Sequence, residues 1–260
     1  MDRSLRCPRV RARARHRLPP ALGAALAIGL SLASCSQGGS SKPAAPQTTT
    51  TVYRGVVAGE SGAAGTLKLT ITHTSGAASD AAMRRQPTAP RASALAALDA
   101  VSAQMNFGPG GRFAFTGTFD PASGVLVLTG ANFVMSGALT AGRLTGAYTL
   151  LGHPGAFVAQ VTSSEVAECG TWTGSGSAGA DGGTLAFLIT DGTTITGLAR
   201  NDDGTSDLLT GSLDVSTGDV ICHFTSYVVI GQIVSGAGSG TYSSTIQSRS
   251  GTWATSTRSF

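Results

Sequence analysis

The chain repeats itself, and this internal duplication limits its fold more than any other feature of the sequence. Residues 116–120 (TGTFD), followed by Gly124, recur as residues 210–214 (TGSLD), followed by Gly218. The later matches keep the same offset of 94 residues and pair Gly137, Gly142, Gly146 and Tyr148 with Gly231, Gly236, Gly240 and Tyr242. Chance seldom keeps one offset over so long a stretch, so we predict two copies of one folding unit.

Earlier matches show a larger offset. Residues 53–55 (YRG) resemble 172–174 (WTG), and residues 65–67 (GTL) recur as 183–185 (GTL), at offsets of 119 and 118. The difference predicts an insertion near 74–110 of the first copy. We therefore place the first copy at 52–161 and the second at 169–260.

The sequences of both copies indicate short β-strands. Runs of Thr, Val, Leu and aromatic residues, such as 125–129 (VLVLT) and 184–190 (TLAFLIT), alternate with turn residues at roughly 8–12-residue spacing. Asp191-Gly192 indicates a two-residue hairpin, because both central positions of that turn need positive φ. Sequential strands with short connections predict an all-β, antiparallel meander. It would form two small barrel-like halves or, alternatively, one larger closed barrel.

One segment of the insertion has a helical pattern. Residues 93–105 (SALAALDAVSAQM) begin with Ser93, which can serve as an N-cap, and place Leu98, Val101 and Met105 near one face. The sequence predicts a short helix there. It would act as a lid or plug over a barrel mouth; the alternative is a plain surface helix, or disorder, in a long loop.

The N-terminus has the pattern of a secretion signal. Seven arginines lie among the first seventeen residues, and the apolar run 21–32 is too short to span a bilayer. Leu32-Ala33-Ser34-Cys35 resembles the lipobox of bacterial lipoproteins. That resemblance implies cleavage after residue 34 and attachment of lipid acyl chains, such as palmitate, at Cys35. Residues 35–51, rich in Ser, Pro and Thr, would then form a flexible tether.

Removing the signal changes the charge of the chain. The full sequence has 18 basic and 14 acidic side chains, and seven of the former and one of the latter lie in residues 1–34. The mature chain would carry a formal charge of −2. We expect no nucleic-acid partner, since such a site needs a clustered basic face. The implied location is the bacterial cell envelope, outside the cytoplasm, held by lipid in the membrane (the outer membrane if the cell has one).

The second copy is similar to calycins, the group of lipocalins and avidins. It opens with Gly170-Thr171-Trp172 and has Arg258 on its last predicted strand. In lipocalins a tryptophan of the first strand packs beneath an arginine of the last strand and closes the barrel. The resemblance therefore implies a closing pair of Trp172 and Arg258.

Aromatic residues recur at matched places of the two copies. They are Tyr53 with Trp172, Tyr148 with Tyr242, and Phe157 with Trp253. Such rings can line a cavity for an apolar or sugar ligand. In small barrels they can equally fill the interior as core.

The cysteines and histidines outside the predicted signal do not indicate a metal site or a catalytic site. Cys169 and Cys222 lie in the second copy, and an oxidising location predicts a disulfide between them. No set of close-spaced ligands predicts a metal site, and no motif predicts a cofactor. The carboxylates fall mainly at turns, and no constellation resembles a catalytic site.

These observations predict a lipid-anchored envelope protein that is not an enzyme. Its barrels would bind a small apolar or sugar ligand or a surface partner. One alternative is a purely structural lipoprotein with filled barrels, and a second is a hydrolase whose site the sequence does not reveal.

Overall fold

A computed structural model of the chain describes residues 45–60, 62–75, 98–176, 179–244 and 248–260. The predicted signal sequence, Cys35, the first part of the tether and most of the insertion lie outside these residues. Within them the all-β prediction is confirmed, and the two copies form two closed antiparallel barrels of eight strands each. One larger barrel built from both copies does not form.

Each strand pairs with its neighbours in sequence, and each barrel closes between its first and last strands. The first barrel consists of β1 (Gln47–Gly59), β2 (Ala64–Ser75), β3 (Asp99–Asn106), β4 (Arg112–Asp120), β5 (Val125–Gly130), β6 (Phe133–Thr140), β7 (Arg143–Leu150) and β8 (His153–Val161). The second consists of β9 (Val166–Gly176), β10 (Gly179–Thr190), β11 (Thr194–Asn201), β12 (Ser206–Leu213), β13 (Asp219–Phe224), β14 (Tyr227–Val234), β15 (Ala237–Ser244) and β16 (Ser250–Ser259).

The predicted turn at Asp191-Gly192 is confirmed. Both residues have positive φ, 52° and 73°, and they connect β10 to β11. Thr193 extends the turn by one residue and donates its N–H to the carbonyl of Thr190 at 3.1 Å. In the first barrel the same connection runs from β2 to β3 and contains the insertion.

The predicted helix over 93–105 is wrong in its described part. Asp99–Asn106 form β3, which pairs with β2 and β4. Burial alternates at every second residue, with Val101, Ala103 and Met105 inside the barrel. A spacing of four residues fits one face of a helix and one face of a strand equally well, so Val101 and Met105 could not distinguish the two. The described part of the segment, residues 98–105, therefore forms no lid helix.

The register of the duplication also differs from the predicted one at the first strand. Val57, rather than Tyr53, occupies the place of Trp172. Val57 pairs with Gly65 on β2, and Trp172 pairs with the matching Gly183 on β10. The short likeness between residues 53–55 and 172–174 was therefore a match in the wrong register.

Two glycines fix the correct register. Gly55 and Gly170 face the barrel interior where the last strand of each barrel crosses closely, and a Cβ at either would collide with a backbone carbonyl of that strand. Only glycine fits such an approach. The offset at this strand is therefore 115 (170 − 55). Tyr53, two residues before Gly55, corresponds to Glu168 of the second barrel.

Each barrel has its own apolar interior, and a third apolar cluster joins the two barrels. Small and aliphatic side chains make this joint, including Val56, Ala58, Ala186 and Leu198. Thr184 donates its hydroxyl to the carbonyl of Gly59 across the joint at 2.8 Å. Small side chains let the two sheet faces approach closely, and the buried hydrogen bond satisfies the end of β1.

The predicted tether is shorter than expected at its C-terminal end. Gln47–Gly59 form β1, so residues 47–51 pair with β2 although their side chains are exposed. Threonine favours the extended conformation, which explains how an exposed threonine run extends a strand. Among the described residues, no helix has the length and apolar character needed to cross a membrane.

Candidate functional site

The six aromatic residues proposed for a ligand cavity are buried in the two barrels. They are Tyr53, Tyr148 and Phe157 in the first and Trp172, Tyr242 and Trp253 in the second, with exposed fractions of 1–8%. The ring of Trp172 meets that of Tyr242 edge-on at 5.0 Å, and Phe187 meets Trp253 in the same way at 6.2 Å. These rings belong to the cores of the barrels.

The predicted closing pair of Trp172 and Arg258 does not form. Trp172 points into the second barrel, whereas Arg258 lies on the outward face of β16, since Trp253 and Thr255 of that strand point inward. The Nη1 atom of Arg258 donates to the carbonyl of Ala64 in the first barrel at 2.8 Å. Side chains alternate along a strand, and residue 258 has the wrong parity to reach the interior.

The predicted disulfide between Cys169 and Cys222 does not form either, and both thiols are free and buried. Cys169 lies in the apolar joint between the barrels, and Cys222 lies inside the second barrel. The wall of the second barrel separates the two side chains. Burial raises the pKa of each thiol to about 12, which keeps both protonated and unreactive.

A cavity of about 510 Å³ opens at one end of the first barrel. The β1–β2, β3–β4 and β7–β8 connections surround it. Most of its lining is apolar and comes from Ala63, Phe107, Pro109, Phe113, Tyr148, Leu150, Leu151 and Pro154. Its size and lining are typical of sites that bind small molecules, which occupy roughly 300–1,000 Å³.

The β3–β4 connection supplies the aromatic wall of this cavity. A single turn of 3-10 helix, Gly108–Gly110, lies between Phe107 and β4. It brings the ring of Phe107 edge-on to that of Phe113, with centroids 6.0 Å apart. The corresponding connection of the second barrel, residues 202–205 (DDGT), has no aromatic residue. The aromatic mouth therefore belongs to the first barrel alone.

Four polar groups lie around the cavity. Glu60, in the β1–β2 connection, has one carboxylate oxygen 3.9 Å from Nη2 of Arg200 and the other 3.8 Å from Nδ1 of His153. The Tyr148 ring faces the cavity, and burial raises the pKa of its hydroxyl although the nearby Arg200 opposes the shift. Arg258 contributes a cation from the second barrel.

Two other polar clusters lie away from the cavity lining. Nδ1 of His73 lies 2.6 Å from a carboxylate oxygen of the buried Asp99. Inside the second barrel, Glu168 accepts hydrogen bonds from the hydroxyls of Thr255 and Thr257 at 2.8 and 2.5 Å. The described part of the chain contains no group of three or more His, Cys, Asp or Glu residues placed to hold a metal ion.

The cavity residues were missed in the sequence because three separate connections supply them. One signal was available, since aromatic residues flank the Gly-Pro-Gly turn of the first copy and have no aromatic counterparts in the second. That asymmetry between two otherwise similar copies marked the place where they diverged.

No family model, curated protein or solved structure matches the chain. Its function therefore has to be inferred from the geometry of the cavity.

Proposed function

We propose that this chain is a lipid-anchored protein of the bacterial cell envelope, and that it binds a small, largely apolar ligand at the mouth of its first barrel. The cavity of about 510 Å³ carries this proposal. Its wall is aromatic and aliphatic, Glu60 and His153 lie at its exposed rim, and it is open for entry. These are the features of a small-molecule site.

The packing of the barrels favours a ligand at the mouth over a ligand in the interior. Phe157, Trp172 and Trp253 fill the interiors with exposed fractions of 1–5%. A ligand inside would have to displace these rings, and truncating a buried aromatic residue costs about 3–5 kcal/mol. A ligand at the open mouth would displace no buried ring.

The anchor supports a role at the membrane surface. A lipid on Cys35, followed by a tether that ends near Gln47, would hold the barrels close to the bilayer. Apolar molecules concentrate in that region because water excludes them. A Cys35→Ala change should release the protein from membranes or block cleavage of the precursor. Membrane attachment and precursor processing that both survive the change would contradict the anchor.

A structural role without a ligand is the second candidate, and the filled interiors favour it. The two candidates differ in whether the mouth cavity binds a small apolar molecule. An enzymatic role has less support, because Glu60 and His153 are 3.8 Å apart at a solvent-exposed rim, and the described lining of the cavity includes no Ser, Thr, Cys or Lys side chain. We expect no cofactor and no metal ion.

Uptake of N-phenyl-1-naphthylamine, a neutral dye that fluoresces in apolar surroundings, tests the proposal on the full mature protein. Ala63 is exposed and lines the cavity, so Ala63→Trp should fill it and weaken dye binding by at least about tenfold. Ala122 is equally exposed, in the turn between β4 and β5 at the opposite end of the same barrel. Ala122→Trp is the matched control and should bind the dye like the unchanged protein.

The outcomes separate the two candidates. Uptake lost only in Ala63→Trp, with unchanged circular dichroism, supports binding at the mouth. No uptake by the unchanged protein, or equal uptake by both variants, would overturn it and leave the structural role.

A further inference from the structure

Arg258 is a cation of the mouth cavity, and no acidic side chain of the described residues forms an ion pair with it. We propose that Arg258 is the recognition residue for a negatively charged head group, so that the ligand is an amphiphile with an apolar body and one carboxylate. This inference rests on the proposed binding at the mouth of the first barrel and names the chemistry of the ligand. The second barrel thus completes a site of the first.

Arg258 is held in place by the protein. Its Nη1 atom donates to the carbonyl of Ala64 at 2.8 Å. A Cβ at Gly108 would lie 3.1 Å from Nη1 and 3.2 Å from Cζ, so the guanidinium packs directly against the 3-10 turn at the cavity wall. Glycine at that position also has a φ of +64°, which a larger residue rarely adopts.

Most N–H donors of the Arg258 guanidinium are available to a ligand. It carries five N–H groups, and the contact with Ala64 uses one. No carboxylate of the described chain lies within 4.0 Å of Arg258, whereas Arg54, Arg200 and Arg249 each have one. A fixed guanidinium with free donors is the protein group best suited to a carboxylate, which it can bind through two parallel hydrogen bonds.

The one acid in the cavity lining does not cancel this charge. Glu60 lies 3.9 Å from Arg200 and 3.8 Å from His153, so its charge is already shared. Arg200 is itself held, because its Nη1 donates to the carbonyl of Gly204 at 2.8 Å. The remaining lining is mainly apolar. An anionic head at Arg258 and an apolar body against Phe107 and Phe113 therefore match the cavity.

Competition between two ligands of equal length tests the inference. Octanoate and 1-octanol, each below its aggregation limit, would displace N-phenyl-1-naphthylamine from the full mature protein at pH 7. Octanoate should compete about tenfold or more better than octanol, because a hydrogen bond to a charged group is the stronger kind. Arg258→Gln should remove that advantage, and Arg258→Lys should restore part of it.

Arg143 provides the matched control, since it lies at the start of β7, at the other end of the first barrel. Arg143→Gln should keep the preference for octanoate, which excludes a general effect of net charge. Octanol displacing the dye as well as octanoate does would overturn the inference and leave the proposed function standing. Displacement by neither ligand, or failure of the dye to bind, would overturn both.

Discussion

The buried carboxylate of the second barrel gives a sharp test of how that barrel is held together. Glu168 is 3% exposed, and no lysine or arginine of the described chain lies within 4.0 Å of it. The hydroxyls of Thr255 and Thr257 donate to its two oxygens. A Thr255→Val change keeps the shape of the side chain and removes one donor. A hydrogen bond to a charged group contributes about 1.5–3 kcal/mol, so we expect a loss of that size.

Adding Glu168→Leu to Thr255→Val should recover most of this loss. Removing both partners of a buried polar contact leaves no unsatisfied charge and is often close to neutral. The first barrel has no carboxylate at the matching place, where Tyr53 corresponds to Glu168 and Ala159 to Thr255. The double variant should therefore lie nearer the unchanged protein than the single variant does.

Chemical denaturation followed by tryptophan fluorescence measures these differences in the second barrel. Both tryptophans of the chain, Trp172 and Trp253, lie in its core. Thr252→Val is the matched control, because Thr252 lies on the same strand with its side chain exposed. Its effect should stay within about 0.5 kcal/mol. A Thr255→Val variant as stable as this control, or a double variant less stable than the single one, would refute the reasoning.

Three further predictions concern residues of the second barrel. Cys169 and Cys222 should not react with thiol reagents in the folded protein and should both react after unfolding; a native disulfide would instead leave both unlabelled after unfolding under non-reducing conditions. Burial raises the pKa of both thiols and of the Tyr242 hydroxyl to about 12. The unfolded chain therefore loses these protons at lower pH than the folded protein does, so the free energy of unfolding should be unaffected by these groups below about pH 9 and should fall as the pH rises toward 12. Denaturation midpoints measured from pH 7 to 11 should show this decline, and a flat profile would contradict it. Gly170→Ala should cost more than about 4 kcal/mol or prevent folding, since a Cβ there collides with β16; the exposed neighbour Thr171→Ala is the control.

The sequence predicted the class of the fold because the duplication and the strand periodicity are local signals. Asp191-Gly192 indicated a hairpin, and the structure has it with both residues at positive φ. The eight strands of the second copy follow from short apolar runs between turn residues, and closure removes the edges that such a meander would otherwise expose.

Local sequence patterns gave wrong predictions where the spacing of apolar residues fits both a helix and a strand, or where a match between the copies was only three residues long. Val101 and Met105 are four residues apart, a spacing that fits one face of a helix and one face of a strand. The segment is a strand because it pairs with β2 and β4, which are formed by other parts of the chain. Tyr53 was matched to Trp172 from three residues. The contact of Gly55 with β8 shows the correct register, and such a contact between distant strands leaves no local trace.

The sequence by itself determined two antiparallel β units, most of their strands and the insertion in the first copy, because each of these depends on neighbouring residues. The tertiary structure alone decided which side of the barrel wall each side chain faces and which loops meet. It separated Cys169 from Cys222, turned Arg258 away from Trp172, and brought Arg258 to a cavity of the other barrel. These outcomes depend on strand register and on how the two barrels pack, and both are set by contacts between residues far apart in the chain.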